Sequence, residues 1–208
     1  MPRSADPQRR ALILRVARQQ FARDGFVGTT MADIALAAGM GVGSLYVYFP
    51  TKDAIALSLL QTYLDEVEHA IVPPMVKLQG AKAIATSISA GFQLVEPNAD
   101  LIHLLRQVPH EMVVLVCQRL PQVLEPAVAG QITRGQFRPL DPHFVTQWIN
   151  EQITWAINMC VLEKQYSLAS CQRQLVDLIS RALLPQPAGE RQSELGQEGG
   201  ESDRSAIP

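Results

Sequence analysis

Between Leu12 and Leu183 apolar residues return every three or four positions, and glycine or proline, with no hairpin signal, cuts this rhythm into segments. Such spacing puts an apolar stripe on one face of each successive helix. The chain is thereby constrained to an all-α fold built by packing those stripes together. Asp6-Pro7 offers an N-cap followed by the residue whose missing N–H costs nothing in a first turn. Gly25 ends that helix, predicted over 7–24. Thr30 with Asp33 three positions on is a capping-box start for a second short helix, whose face is Ile34, Ala37 and Ala38 and whose stop is Gly39. After Gly39-Met40-Gly41 a third helix, 42–48, turns Val42, Leu45 and Phe49 inward until Pro50. Thr51 caps a long fourth helix, expected to stop at Val72-Pro73-Pro74. Helical patterning then covers 80–95, 100–107, an apolar stretch from Glu111 broken at Pro121 and Pro126, and finally 142–162 and 167–184.

With 208 residues and 47% hydrophobic content the chain can bury one large core, or one core and a small appended domain. Its richest apolar run, 112–117, is flanked by Glu111 and Arg119, so no membrane span is expected. Arg15 and Arg18 interrupt the first apolar segment, which excludes a signal-peptide core and points to a cytoplasmic protein. Cys117, Cys160 and Cys171 form no C-x-x-C pair and read as core thiols. Residues 186–208, rich in Pro, Gly, Ser and Glu, read as a disordered tail.

The formal net charge of −2 hides an asymmetry. Up to Lys52 there are seven basic and three acidic residues, a balance of +4 that suits a polyanion, whereas the rest of the chain carries −6. Two short helices joined by a glycine turn, with another helix before them, are the elements of a helix-turn-helix DNA reader. The reading helix must bring its backbone close to base edges, and Gly41, Val42, Gly43, Ser44 and Val47 are small enough to allow it. Tyr46, Tyr48, Lys52 and the Thr30 hydroxyl can donate to phosphate oxygens.

These residues resemble the TetR family of bacterial transcriptional regulators. The resemblance lies in Phe21-Ala22-Arg23-Asp24-Gly25-Phe26, in Thr29-Thr30-Met31-Ala32-Asp33-Ile34-Ala35, and above all in Gly43-Ser44-Leu45-Tyr46-Val47-Tyr48-Phe49-Pro50-Thr51-Lys52-Asp53. Further on, 135–142 is similar to that family's entry into its dimerisation helix. The resemblance implies a helix-turn-helix head over 1–50, an effector-binding and dimerisation domain over 51–185, and a homodimer that binds a palindromic operator in double-stranded DNA, most simply as a repressor. It also places Tyr46 and Lys52 on phosphate contacts, and Ser44 and Tyr48 where bases or backbone are met. Gly41 stands where that family usually has Ser or Thr, and 42–48 contains no Arg, Asn or Gln. Bidentate reading of guanine or adenine is then replaced by thymine-methyl contact from Val47, hydroxyl contacts from Ser44 and Tyr48, and DNA shape, with Arg3, Arg9 or Arg10 near the minor groove.

For the effector, the candidates on the later helices are Phe92, His103, Gln107, His110, Val113, Trp155 and Met159, a mostly apolar set that suits a small hydrophobic molecule. The histidines lack metal-ligand spacing, and neither cofactor nor metal is expected. The helix 142–162 has no Lys or Arg; paired with 167–184 and their symmetry copies it would form a four-helix dimer bundle. Two other readings are a helical protein–protein adaptor with a degenerate head and a small helical enzyme. The second lacks a nucleophile elbow, a metal motif or a phosphate loop, and no catalytic residue is assigned.

Overall fold

The structure, a computed structural model, describes residues 6–186. The tail expected over 186–208 therefore lies outside the described residues beyond Gln186, as does Arg3. The described residues form ten α-helices with no strand: α1 Pro7–Gly28, α2 Met31–Ala37, α3 Val42–Tyr48, α4 Lys52–Lys77, α5 Gly80–Gln93, α6 Ala99–Leu105, α7 His110–Cys117, α8 Arg119–Thr133, α9 Pro142–Ile157 and α10 Leu168–Leu183. A 3₁₀ turn, Glu96–Asn98, precedes α6, and a π turn, Asn158–Leu162, ends α9.

The caps read from the sequence do the expected local work. Asp6 accepts from the Gln8 amide and Thr51 from Ala54; two caps not read there, Asp141 and Ser167, accept from Phe144 and Ser170. In α1, Gly25 has φ 77° and ψ 165°, so the regular helix breaks there as predicted and resumes for one short turn.

Two proline expectations fail. The fourth helix runs through Pro73 and Pro74 to Lys77. The two rings leave the His69 and Ala70 carbonyls without their usual amide donors, and neighbouring helices hold the turns on either side. Ser87 on α5 donates to the Ile71 carbonyl, and the buried Gln131 amide on α8 donates to the Met75 and Leu78 carbonyls at 2.8 Å each. The stretch from Glu111 divides at Gln118, not at Pro121 or Pro126. Pro121 falls in the first turn of α8, and Pro126 lies inside a helix that continues past it.

His110–Thr133 is also long and apolar enough to cross a membrane by length and composition, contrary to the expectation from run length. In this fold, however, α8 packs along α4 and α9, and Arg119 at its start pairs with Asp65 and Glu68 of α4 at 2.6 and 2.7 Å.

Packing is organised around two cores. One joins α1, α2, α3 and the first part of α4 to Leu101 and Leu104 of α6, and to Val108 and Val116. The other joins the end of α4 to α5, α8, α9 and α10. The three-helix head thus shares its apolar interior with α6, which sits between it and the rest of the molecule.

Candidate DNA-reading head and effector cavity

In the head, Thr30 and Asp33 form the predicted capping box. The Asp33 carboxylate accepts from both the Thr30 amide, at 2.9 Å, and the Thr30 hydroxyl, at 2.6 Å. These bonds hold the Asp33 carboxyl below its usual 3.8. They also occupy the Thr30 hydroxyl proton that the sequence reading offered to a phosphate.

The second helix ends in a Schellman motif: the Gly39 amide, at φ 65°, donates to Leu36 and the Met40 amide to Ala35. The left-handed residue turns the chain so that α2 and α3 meet at 100°. Leu45 and Phe49 are buried as expected, which fixes the opposite face of α3 outward, whereas Val42, also predicted inward, lies exposed in the first turn. On that face lie Gly41, Val42, Gly43, Ser44, Tyr46 at 52% exposure and Val47 at 70%, with Tyr48 half-buried beside them. Gly41 provides no side-chain cap, as its lack of a hydroxyl implies.

Lys52 is placed differently from the expectation. Its ammonium donates to the Phe26 carbonyl at 2.6 Å and to the Thr29 carbonyl at 2.8 Å, and lies 4.4 Å from the Phe26 ring centre. Two of its three N–H donors therefore hold the end of α1 to the start of α4. Other charges counted toward a basic head are likewise engaged. Arg10 lies over the Phe49 ring and donates to Ser58, Arg18 grips Asp100 at 2.6 Å through two nitrogens, and Arg23 pairs with Asp24.

A cavity of about 340 Å³ lies among α4, α5, α6, α7 and α9. Of the seven sequence candidates, Phe92 and Val113 line it. The other five do not. His103 and His110 face solvent, and Met159 sits in the π turn. Trp155 is 55% exposed against Tyr166, on the opposite side of α9 from the cavity. Gln107 reaches back to the head, where its side-chain oxygen accepts from the Phe26 amide at 2.7 Å and lies under Gly25.

Sequence reasoning missed most of the lining. On α9, Ile149, Ile153 and Ile157 make one four-residue stripe and Asn150, Thr154 and Asn158 the next, and both face the cavity. This adjacent pairing was the signal available in the sequence, since an apolar stripe flanked by an uncharged polar one is unusual on a helix buried on one side only. Tyr63 from α4 lines the far wall; burial pushes its phenol up to about 12, with Glu66 adding to the effect. Burial likewise raises the Cys117 thiol, with Glu151 contributing. Arg106, which ends α6, contributes the one charged side chain of the lining.

The α6 segment thus touches both sites. Ile102, Leu105 and Arg106 face the cavity, while Asp100 and Gln107 hold the head.

Comparison with known proteins places this geometry. The family model for bacterial regulatory proteins, tetR family, matches residues 13–59, which span the head and the start of α4. The HTH-type transcriptional regulator YuxN of Bacillus subtilis is 36% identical over 59 residues, 28% of this chain and 20% of its own length. The chain therefore spans only a small part of that relative. The HTH-type transcriptional repressor DhaR of Mycobacterium sp. (strain GP1) is 25% identical over 177 residues, 80% of this chain and 88% of DhaR. Among solved structures, FadR from Bacillus subtilis in complex with stearoyl-CoA has a TM-score of 0.71 at 22% identity, covering 83% of this chain and 98% of FadR. The SmeT–triclosan complex has a TM-score of 0.72 at 16% identity, covering 86% and 92%. Motif and head geometry agree: residues 13–59 form a helix-turn-helix domain similar to that of the bacterial regulatory proteins of the tetR family, on an overall fold shared with those solved structures.

Proposed function

We propose that the chain is a ligand-responsive transcriptional repressor that holds a palindromic operator as a homodimer and releases it when a small, largely hydrophobic effector enters the cavity. The observation that carries this reading is the double engagement of α6, whose residues line the cavity on one side and clamp the head on the other. A ligand acts on DNA affinity only through a difference in affinity between two states, and an element that touches both sites is where such a difference can arise.

For DNA, the contacting surface is the exposed face of α3. Val47, apolar and largely exposed, suits a thymine methyl, while Ser44 and Tyr48 suit hydroxyl contacts and Tyr46 a phosphate. Gly41, Val42 and Gly43 allow close approach of the helix. Lys52 supports this surface by fixing the junction of α1 and α4 behind it. Thr30 positions α2 through its capping box.

For dimerisation, Phe144, Trp155 and Leu178 leave large apolar side chains exposed on α9 and α10, with Tyr166 on the connection between them. A two-fold copy would cover them in a four-helix bundle and set two heads for successive major grooves, roughly 34–36 Å apart. The apolar lining is in keeping with FadR and SmeT, whose solved complexes hold stearoyl-CoA and triclosan.

The test is fluorescence anisotropy with the DNA upstream of the chain's own gene, at low salt, followed by a screen of lipophilic compounds for release. Binding by a dimer, abolished by Val47→Glu in a protein that still folds and dimerises, supports the reading. A monomer indifferent to that DNA and to palindromes selected from a random pool would refute it.

A further inference from the structure

The cavity wall combines apolar side chains, a few neutral polar groups and a single charge, Arg106. Its guanidinium is at the solvent end, where its partner is Glu163, 3.8 Å away, with both side chains about half exposed. That separation is too long for a hydrogen bond, and an exposed pair of this kind is held weakly. The guanidinium fork is therefore open to a better acceptor.

The surroundings favour one. The α6 helix packs against the π turn Asn158–Leu162, which brings Asn158 and Glu163 to the same end of the cavity as Arg106. Helices are rarely wound as π turns, and these widened turns gather at binding sites. Asn150, Thr154 and Asn158 bring neutral polar side chains to the cavity lining. At four-residue spacing they form a polar stripe beside the isoleucine stripe. The rest of the wall is mostly apolar, with Ile88, Phe92 and Val116, and its hydroxyls, Tyr63 and Ser87, carry no charge to compete with Arg106 for an anion.

Resting on the proposed effector-binding role of this cavity, we propose that the effector is an anionic amphiphile. Its chain lies against the isoleucine stripe and its negatively charged head takes the Arg106 guanidinium from Glu163. A carboxylate and a phosphate share this chemistry, since both meet the guanidinium fork through two oxygens. A neutral apolar molecule would fill the same volume and leave that fork unused.

The test is displacement of the neutral dye Nile red by dodecanoate, dodecan-1-ol and lauroyl coenzyme A, each below its micellar concentration. Wild-type protein should bind dodecanoate or lauroyl coenzyme A at least about tenfold more tightly than the alcohol, the scale of one charge-assisted contact. Arg106→Gln should abolish that preference and leave the alcohol unaffected, while Glu163→Gln should strengthen it. Whether dodecanoate or lauroyl coenzyme A shows the larger loss in Arg106→Gln assigns the anion to a carboxylate or to carrier phosphates. Equal affinity for alcohol and anion in the wild type, or a preference that survives Arg106→Gln, overturns the inference about charge. Ile153→Trp, which fills the cavity, separates that failure from the broader one. If the folded variant binds dye and alcohol as well as wild type, the cavity is not the site and both proposals fall together.

Discussion

Replacing Lys52 with Met keeps the methylene stem and removes the ammonium, which separates two roles for this residue. In the structure the ammonium donates at 2.6 and 2.8 Å to the Phe26 and Thr29 carbonyls and rests on the Phe26 ring. Hydrogen bonds from a charged donor contribute about 1.5–3 kcal/mol each, and partial exposure puts these two at the lower end. The cation–π contact adds about 0.5–1 kcal/mol. Lys52→Met should therefore lower stability by about 3.5–4 kcal/mol, and a chain of this size should melt about 7–16 °C lower. Melting must be compared at fixed protomer concentration, since dimerisation contributes to the midpoint. Had the ammonium been a phosphate contact, the slope of log affinity against log salt would drop by about one while melting stayed unchanged. The structure requires the reverse at temperatures where the variant is folded: reduced stability with the salt slope retained. An unchanged melting curve together with a shallower salt slope would refute the reasoning.

Three further outcomes follow from the same geometry. Gln131 is fully buried and its amide serves two carbonyls of the proline-bearing turn and the Gly80 amide. Gln131→Leu strands all three, and the urea midpoint should fall by the equivalent of at least about 3 kcal/mol with an unchanged m-value. Tyr63 is 8% exposed and its phenol is raised from 10.0 to about 12. A raised folded value means that the native state keeps its proton longer than the unfolded chain, so this contribution is whole below pH 10 and disappears as pH climbs through about 12. Tyr63→Phe should remove that part of the alkaline decline, about 2–3 kcal/mol, as read from unfolding at successive pH values. Asp33 shows the opposite sign. Its carboxyl is held below 3.8 by Thr30, so the capping box stabilises above that pH and is lost as pH falls through the lowered folded value. Asp33→Asn should flatten the acid limb of the stability profile, and a limb as steep as wild type would show that the box contributes nothing.

Local signals were readable in the sequence wherever the physics is local. The ends of α1, α2 and α3, the capping box at Thr30 and the inward pair Leu45 and Phe49 depend on a few neighbouring residues, and each falls where spacing puts it. What failed depends on residues distant in the chain. Pro73 and Pro74 read as a stop because the sequence around them does not show that Gln131, more than fifty residues on, holds the last turn of the same helix through the Met75 and Leu78 carbonyls. The basic count of the first quarter was correct, yet it could not show that Arg10, Arg18 and Lys52 have partners on α4, α6 and α1. Large aromatic and polar residues were chosen for the cavity by type. On α9 the side facing the cavity instead carries isoleucine, asparagine and threonine, and Trp155 lies on the other.

The contacts through α6 set the size of the response that the proposed switch can give. Arg18 and Asp100 form a bidentate pair, each about one-third exposed, and Gln107 adds one neutral hydrogen bond to Phe26. Charge-assisted bonds of this exposure and a neutral one together amount to about 2–4 kcal/mol. Reversing a population from about 1:99 to 99:1 needs about 5.5 kcal/mol of differential binding. An effector that loosens only the Gln107 contact can therefore shift the head partially, by roughly tenfold at most. Full release requires that the Arg18–Asp100 clamp open as well, or that the shared apolar interior around Leu101 and Leu104 repack at the same time. Because Arg106 and Gln107 are consecutive, a ligand head that draws Arg106 away from Glu163 pulls first on the weaker of the two holds. The response should accordingly be graded at low occupancy and steepen only when the clamp at Asp100 gives way.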